Sequence, residues 1–164
     1  WFSKVKSPVE VVTSTMKFVG NFKEFRPGFS ELGEEVSFQG QTLLNPPSVE
    51  GWHTGPEWID TGTLLQRINF VADQMVNPYL PGIRSMIDRL NNQTLSTSEE
   101  LVDGCLDLMG PIQLEPKTRE EIIAHIRIDE TTDQDPLNSS NLISSEKVGQ
   151  ILQLVVSTRE FQMG

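Results

Sequence analysis

The sequence is poor in the side chains that most often announce chemistry: its 164 residues include one cysteine, two histidines and one tyrosine. Cys105 has no second cysteine to pair with, so an intrachain disulfide is excluded and nothing covalent marks an oxidising compartment. His53 and His125 are far apart in the chain, and the run 121–125 lacks the second histidine that a zinc-protease helix places one turn away. His125 therefore reads as a helix-surface or packed residue, and no metal is expected. Basic residues are scarce as well. Thirteen lysines and arginines against 23 aspartates and glutamates give a net charge of −10, which repels phosphate backbones and anionic membrane surfaces. Nucleic acid is not an expected partner, and the acidic face reads as a solubility device or a dock for a basic partner.

Long apolar runs are missing too: none approaches the ~20 residues that cross a bilayer, and the N-terminus carries no signal-peptide pattern. Gly51, Gly55 and Gly62 neither precede a Lys-Ser/Thr pair nor follow a clear strand, so no phosphate-cradling loop and no cofactor are expected. The chain begins at Trp1 without an initiator methionine and is expected to be a processed product or a piece of something longer.

What is present is helix punctuation, on a composition (37% hydrophobic, 22% charged) that suits one core over residues 1–164. Ser7-Pro8-Val9-Glu10 combines a cap, a proline at the first helical position and a carboxylate able to reach back, and Gly20-Asn21 supplies a stop after Val19. A second helix is expected over 30–39. Over 61–76, Leu64, Leu65, Ile68, Val71, Ala72 and Met75 trace one helical face, with Gln66, Arg67, Asp73 and Gln74 opposite. Pro81 opens another helix with a stripe of Ile83, Met86, Ile87 and Leu90. Ser96 with Glu99, or Thr97 with Glu100, caps the next, and Thr118 with Glu121 repeats the device. The acidic stretch 129–140 reads as a surface loop, and 145–158 as a last helix. The expectation is all-α: an irregular bundle of six or seven amphipathic helices.

One segment departs from that pattern. Residues 44–60 hold Pro46, Pro47, Gly51, Gly55 and Pro56, which exclude regular helix or central strand and predict a long ordered loop. Trp52 and Trp58 lie inside it and suggest buried anchors, each with one N–H to satisfy. Glu57 and Asp60 flank Trp58, where apolar cover would raise a carboxyl pKa and suit acid–base work; the competing reading is that Asp60 or Thr61 caps the following helix. Cys105 falls in an apolar stripe with Leu101, Leu108 and Met109 and reads as core. Asp129, Glu130, Asp133 and Asp135 could gather oxygen ligands, but they lack the glycine and final glutamate of a calcium loop.

The run Asn45-Pro46-Pro47-Ser48-Val49-Glu50-Gly51-Trp52, with Gly55, Trp58-Ile59 and Thr63-Leu64-Leu65-Gln66-Arg67-Ile68-Asn69-Phe70, resembles the C-terminal part of the bacterial domain-of-unknown-function family 1800 (DUF1800). Lys6-Ser7-Pro8-Val9-Glu10 is similar to the segment that starts the family's preceding helix. Ser157-Thr158-Arg159-Glu160-Phe161-Gln162 is similar to its terminal motif, with Thr158-Arg159 where a proline is expected. His53 stands where the family often has proline. The resemblance implies a helical C-terminal region and an exported, envelope-associated setting, periplasmic, cell-surface or secreted; it supplies no catalytic residues. The leading expectation is a structural or interaction module whose partner is another protein or a preceding part of the same one. Two alternatives stand beside it: a hydrolase-like site that preceding sequence completes, with Glu57, Asp60, Arg67 and Asn69 as polar contributors, and a carbohydrate surface using Trp52 and Trp58.

Overall fold

The computed structural model describes residues 4–22, 24, 27–93, 95–132 and 143–163. Among them the chain forms eight α-helices: α1 Pro8–Val19, α2 Glu31–Phe38, α3 Thr61–Met75, α4 Pro81–Asn91, α5 Ser98–Met109, α6 Pro116–Thr132, α7 Ser145–Ser157 and the short α8 Arg159–Met163. A single 3₁₀ turn, Gly55–Trp58, interrupts the connection between α2 and α3. The all-helical expectation holds, with α8 added after α7, and none of these helices is long and apolar enough to cross a membrane.

The helices begin where the capping chemistry directs. The Glu10 carboxylate accepts from the Ser7 N–H at 2.8 Å and its hydroxyl at 3.1 Å, Pro8 fills the first helical position, and Gly20 closes α1 in the left-handed region at φ 71°. At α5 it is Thr97 that caps: its hydroxyl accepts the Glu100 N–H at 3.2 Å while the Glu100 carboxylate accepts the Thr97 N–H at 3.2 Å. Thr118 does not cap α6. Pro116 starts that helix one turn boundary earlier, because a proline at the first helical position forfeits no hydrogen bond. Thr118 is left free to donate to Glu160 of α8 at 3.1 Å. The stretch expected to be a loop from Asp129 is helical to Thr132; Asp133 and Asp135 lie outside the described residues.

One core runs through the helices. Val12 and Val19 of α1, Val71 of α3, Leu90 of α4, Val102 and Cys105 of α5, Ile126 of α6, and Ile151 and Leu152 of α7 are all sealed from solvent within it. The α7 helix lies deepest, burying Val148, Gly149, Ile151, Leu152, Val155 and Val156, and it packs against α3, which packs in turn on α1. At one crossing two backbones meet directly: a Cβ on Gly82 of α4 would lie 2.2 Å from the Phe18 carbonyl oxygen of α1 and 2.7 Å from Val19 carbonyl carbon. Only glycine allows that approach.

The α3 stripe is rotated from its expected place. Arg67, assigned by periodicity to the polar face, is fully buried, whereas Leu65, assigned to the core face, is 56% exposed. Phe70, left out of the expected stripe, joins Val71, Ala72 and Met75 in the core. Helix α3 has apolar residues around more than half of its circumference, so pattern alone leaves its facing direction loose by about one residue, roughly 100°.

Candidate functional site

The loop between α2 and α3 is secured at both ends and projects between them. At its start the buried Gln41 side chain accepts the Val9 N–H of α1 at 3.0 Å through Oε1. Gly40, at φ 97°, sits so close to the end of the loop that a Cβ there would lie 3.2 Å from Thr63 Cγ2. At the far end Asp60 caps α3, accepting from the N–H groups of Gly62 at 2.8 Å and Thr63 at 3.0 Å. The Thr63 hydroxyl donates to the Trp58 carbonyl at 3.0 Å and accepts the Asp60 N–H at 3.0 Å. Trp58 itself is buried, its ring edge-on to His53 at 6.1 Å between centroids.

Between these anchors the chain turns repeatedly with few tertiary hydrogen bonds. Leu44 takes a left-handed φ of 63°, which a leucine adopts only under constraint, two residues before the Pro46-Pro47 pair. Ser48 and Gly51 form an isolated bridge, with the Gly51 N–H donating to the Ser48 carbonyl at 3.1 Å and Gly51 at φ 104°. Apolar side chains protrude: Leu44 is 95% exposed and Val49 is fully exposed, with Leu43 beside them and Phe38 and Leu65 on the helices at either end. Trp52 is half-buried, with its indole nitrogen enclosed and unpartnered in the protein.

The candidate catalytic groups do not converge. Asp60 is spent on capping, and the two backbone N–H bonds from Thr63 and Gly62 hold its carboxyl below the usual range, the opposite of the apolar elevation that acid catalysis would use. Glu57 is exposed; it accepts the Thr54 N–H at 3.3 Å and lies 3.5 Å from His53 Nδ1. Asn69 is exposed on α3, and Arg67 points away from the loop to the Lys6 carbonyl oxygen, which its Nη1 reaches at 2.8 Å. Of the two tryptophans considered for a sugar surface, Trp58 is buried and has no free face to stack on a sugar ring. Cys105 is enclosed in α5 and its thiol is pushed up to about 12 by burial, which keeps it protonated and unreactive near neutral pH. His125 lies exposed on α6.

Two features escaped the sequence reading. One is the burial of Arg67, whose signal was its spacing: 67, 71 and 75 share a helical face with Val71 and Met75. The other is a cleft beside α1 lined by Lys4, Lys6, Glu10, Thr13, Ser14 and Lys17, which no local motif announces.

Over residues 1–163 the chain matches the family described as "Protein of unknown function (DUF1800)". No curated protein and no solved structure matches it.

Proposed function

The chain belongs to the DUF1800 family, and from its own geometry we propose that it is a protein-interaction module whose α2–α3 loop docks on a polypeptide surface. The observation that carries this reading is the exposure of Leu44 and Val49 on a loop whose ends are tightly anchored. An apolar side chain held fully in water on a pre-shaped loop gains about 1.5–3 kcal/mol when a partner covers it. A loop positioned by a rigid helical scaffold also meets that partner with little ordering cost. The surface covered is that of another protein or of a further part of the same polypeptide. The setting is the bacterial cell envelope, a placement supported by the export that the family resemblance implies.

The enclosed Cys105 makes the test simple, because a cysteine introduced elsewhere reports without interference from the native thiol. A thiol at position 49 (Val49→Cys) should react readily with a maleimide in the purified chain and slowly in the cellular protein. A thiol at the exposed Lys117 of α6 (Lys117→Cys) should react alike in both. Equal reactivity of position 49 in the two settings would remove the interaction reading.

A further inference from the structure

Among the described residues, Arg67 is a cation buried without a counter-charge. It is fully enclosed, its Nη1 bonds only the neutral Lys6 carbonyl oxygen, and its Nε has no partner. Burial alone accounts for the lowering of its pKa, with no carboxylate contributing. An uncompensated buried charge is costly enough that proteins ordinarily pair it or supply it with a ligand.

Arg67 lines a cavity of about 10 Å³, shared with Lys6, Ser14, Thr15 and Gln162, that has room for a single water-sized group. Lys6 and Ser14 also line the adjoining open cleft of about 460 Å³, where Lys4, Lys17 and Glu10 complete the rim. The size is that of a small-molecule site. Its charge runs against the molecule, since three lysines face one glutamate on a chain of net charge −10. Glu10 is already committed: Lys4 chiefly, then the Ser7 amide, hold its carboxyl down to about 2. That leaves the Lys6 ammonium, held 5.5 Å over the Phe161 ring, and Lys17 facing the cleft.

We propose that this cleft binds the oxyanion of a small ligand, a carboxylate or a phosphate, between Lys6 and Lys17, with the field of buried Arg67 behind it. Lysines serve as point charges that accept either geometry. Thr13 and Ser14 add no donors, because their hydroxyls are spent on the Val9 and Val11 carbonyls at 2.6 and 3.1 Å. The ligand is therefore recognised by charge. This site is separate from the α2–α3 loop, so its failure would leave the docking proposal standing.

The test is thermal unfolding of the whole chain at constant ionic strength in chloride, inorganic phosphate or succinate, with amide NMR shifts over residues 4–17 as a second reading. Phosphate or succinate should raise Tm saturably above the chloride reference and shift those amides. Lys6→Gln and Lys17→Gln should each weaken the apparent affinity about tenfold, while Lys117→Gln, which removes the same charge from α6, should leave it unchanged. A response to phosphate alone identifies a phosphoryl ligand and a response to succinate alone a carboxylate; both support the site. If neither anion exceeds chloride, or if Lys117→Gln weakens binding as much as Lys6→Gln, the site is overturned and the response is one of net charge.

Discussion

The helical core and the α2–α3 loop solve the problem of order by different means. In the core, order comes from continuous apolar contact: Leu90, Val102, Ile126, Ile151 and Leu152 have no exposed surface, and helices α1 and α4 touch backbone to backbone at Gly82. In the loop, most of residues 42–50 is exposed, and order comes from hydrogen bonds and one buried ring at its two ends. A side chain in the core is replaceable only by something of its own volume. Along the loop's crest, backbone conformation is constrained and side-chain identity is free of internal demands. A surface built in that way suits recognition, because its residues can change without cost to the fold.

The contrast can be broken by mutation, and the largest effect should come from the core. Leu152→Ala leaves a cavity inside the α7 stripe and should cost about 3–5 kcal/mol in denaturant unfolding; a cost below about 1 kcal/mol would mean that α7 is not the centre of the bundle. Gly82→Ala inserts a methyl where the α1 backbone already stands and should cost about 2–3 kcal/mol, with no rotamer available to relieve it. At the loop's anchored end, Asp60→Ala removes the cap on α3 and should cost about 1 kcal/mol. On the crest, Leu44→Ser and Val49→Ser should each change stability by less than about 0.5 kcal/mol, and Leu44→Ser combined with Val49→Cys should abolish the protection expected at position 49 in the cellular protein. If either crest variant unfolds the chain as Gly82→Ala does, the loop belongs to the core and the comparison fails.

How much of this was legible beforehand follows the same division. Ser7, Pro8 and Glu10, the Gly20 stop, Pro81 and Thr97 with Glu100 mark helix ends by local chemistry, so the sequence located those ends closely. Facing direction is a tertiary property, and it was lost where a helix is apolar on most sides: α3 presented Leu65 and hid Arg67. The role of Asp60 was ambiguous because a carboxylate beside a tryptophan suits either capping or catalysis, and only the 2.8 Å bond to Gly62 N–H decides between them. The lysine cleft was invisible because Lys4 and Lys6 precede α1 while Lys17 lies near its end, and their common side emerges only once residues 4–7 lie beside the helix, where Lys4 reaches Glu10.

The closeness of Gly40 to Thr63 carries a further topological consequence. A chain that leaves and re-enters the bundle at nearly one point forms a handle on it and takes no part in its weave. A protease that cuts the handle between Leu44 and Val49 would produce two fragments that stay together, because α1 and α2 on one side of the cut pack on α3 from the other.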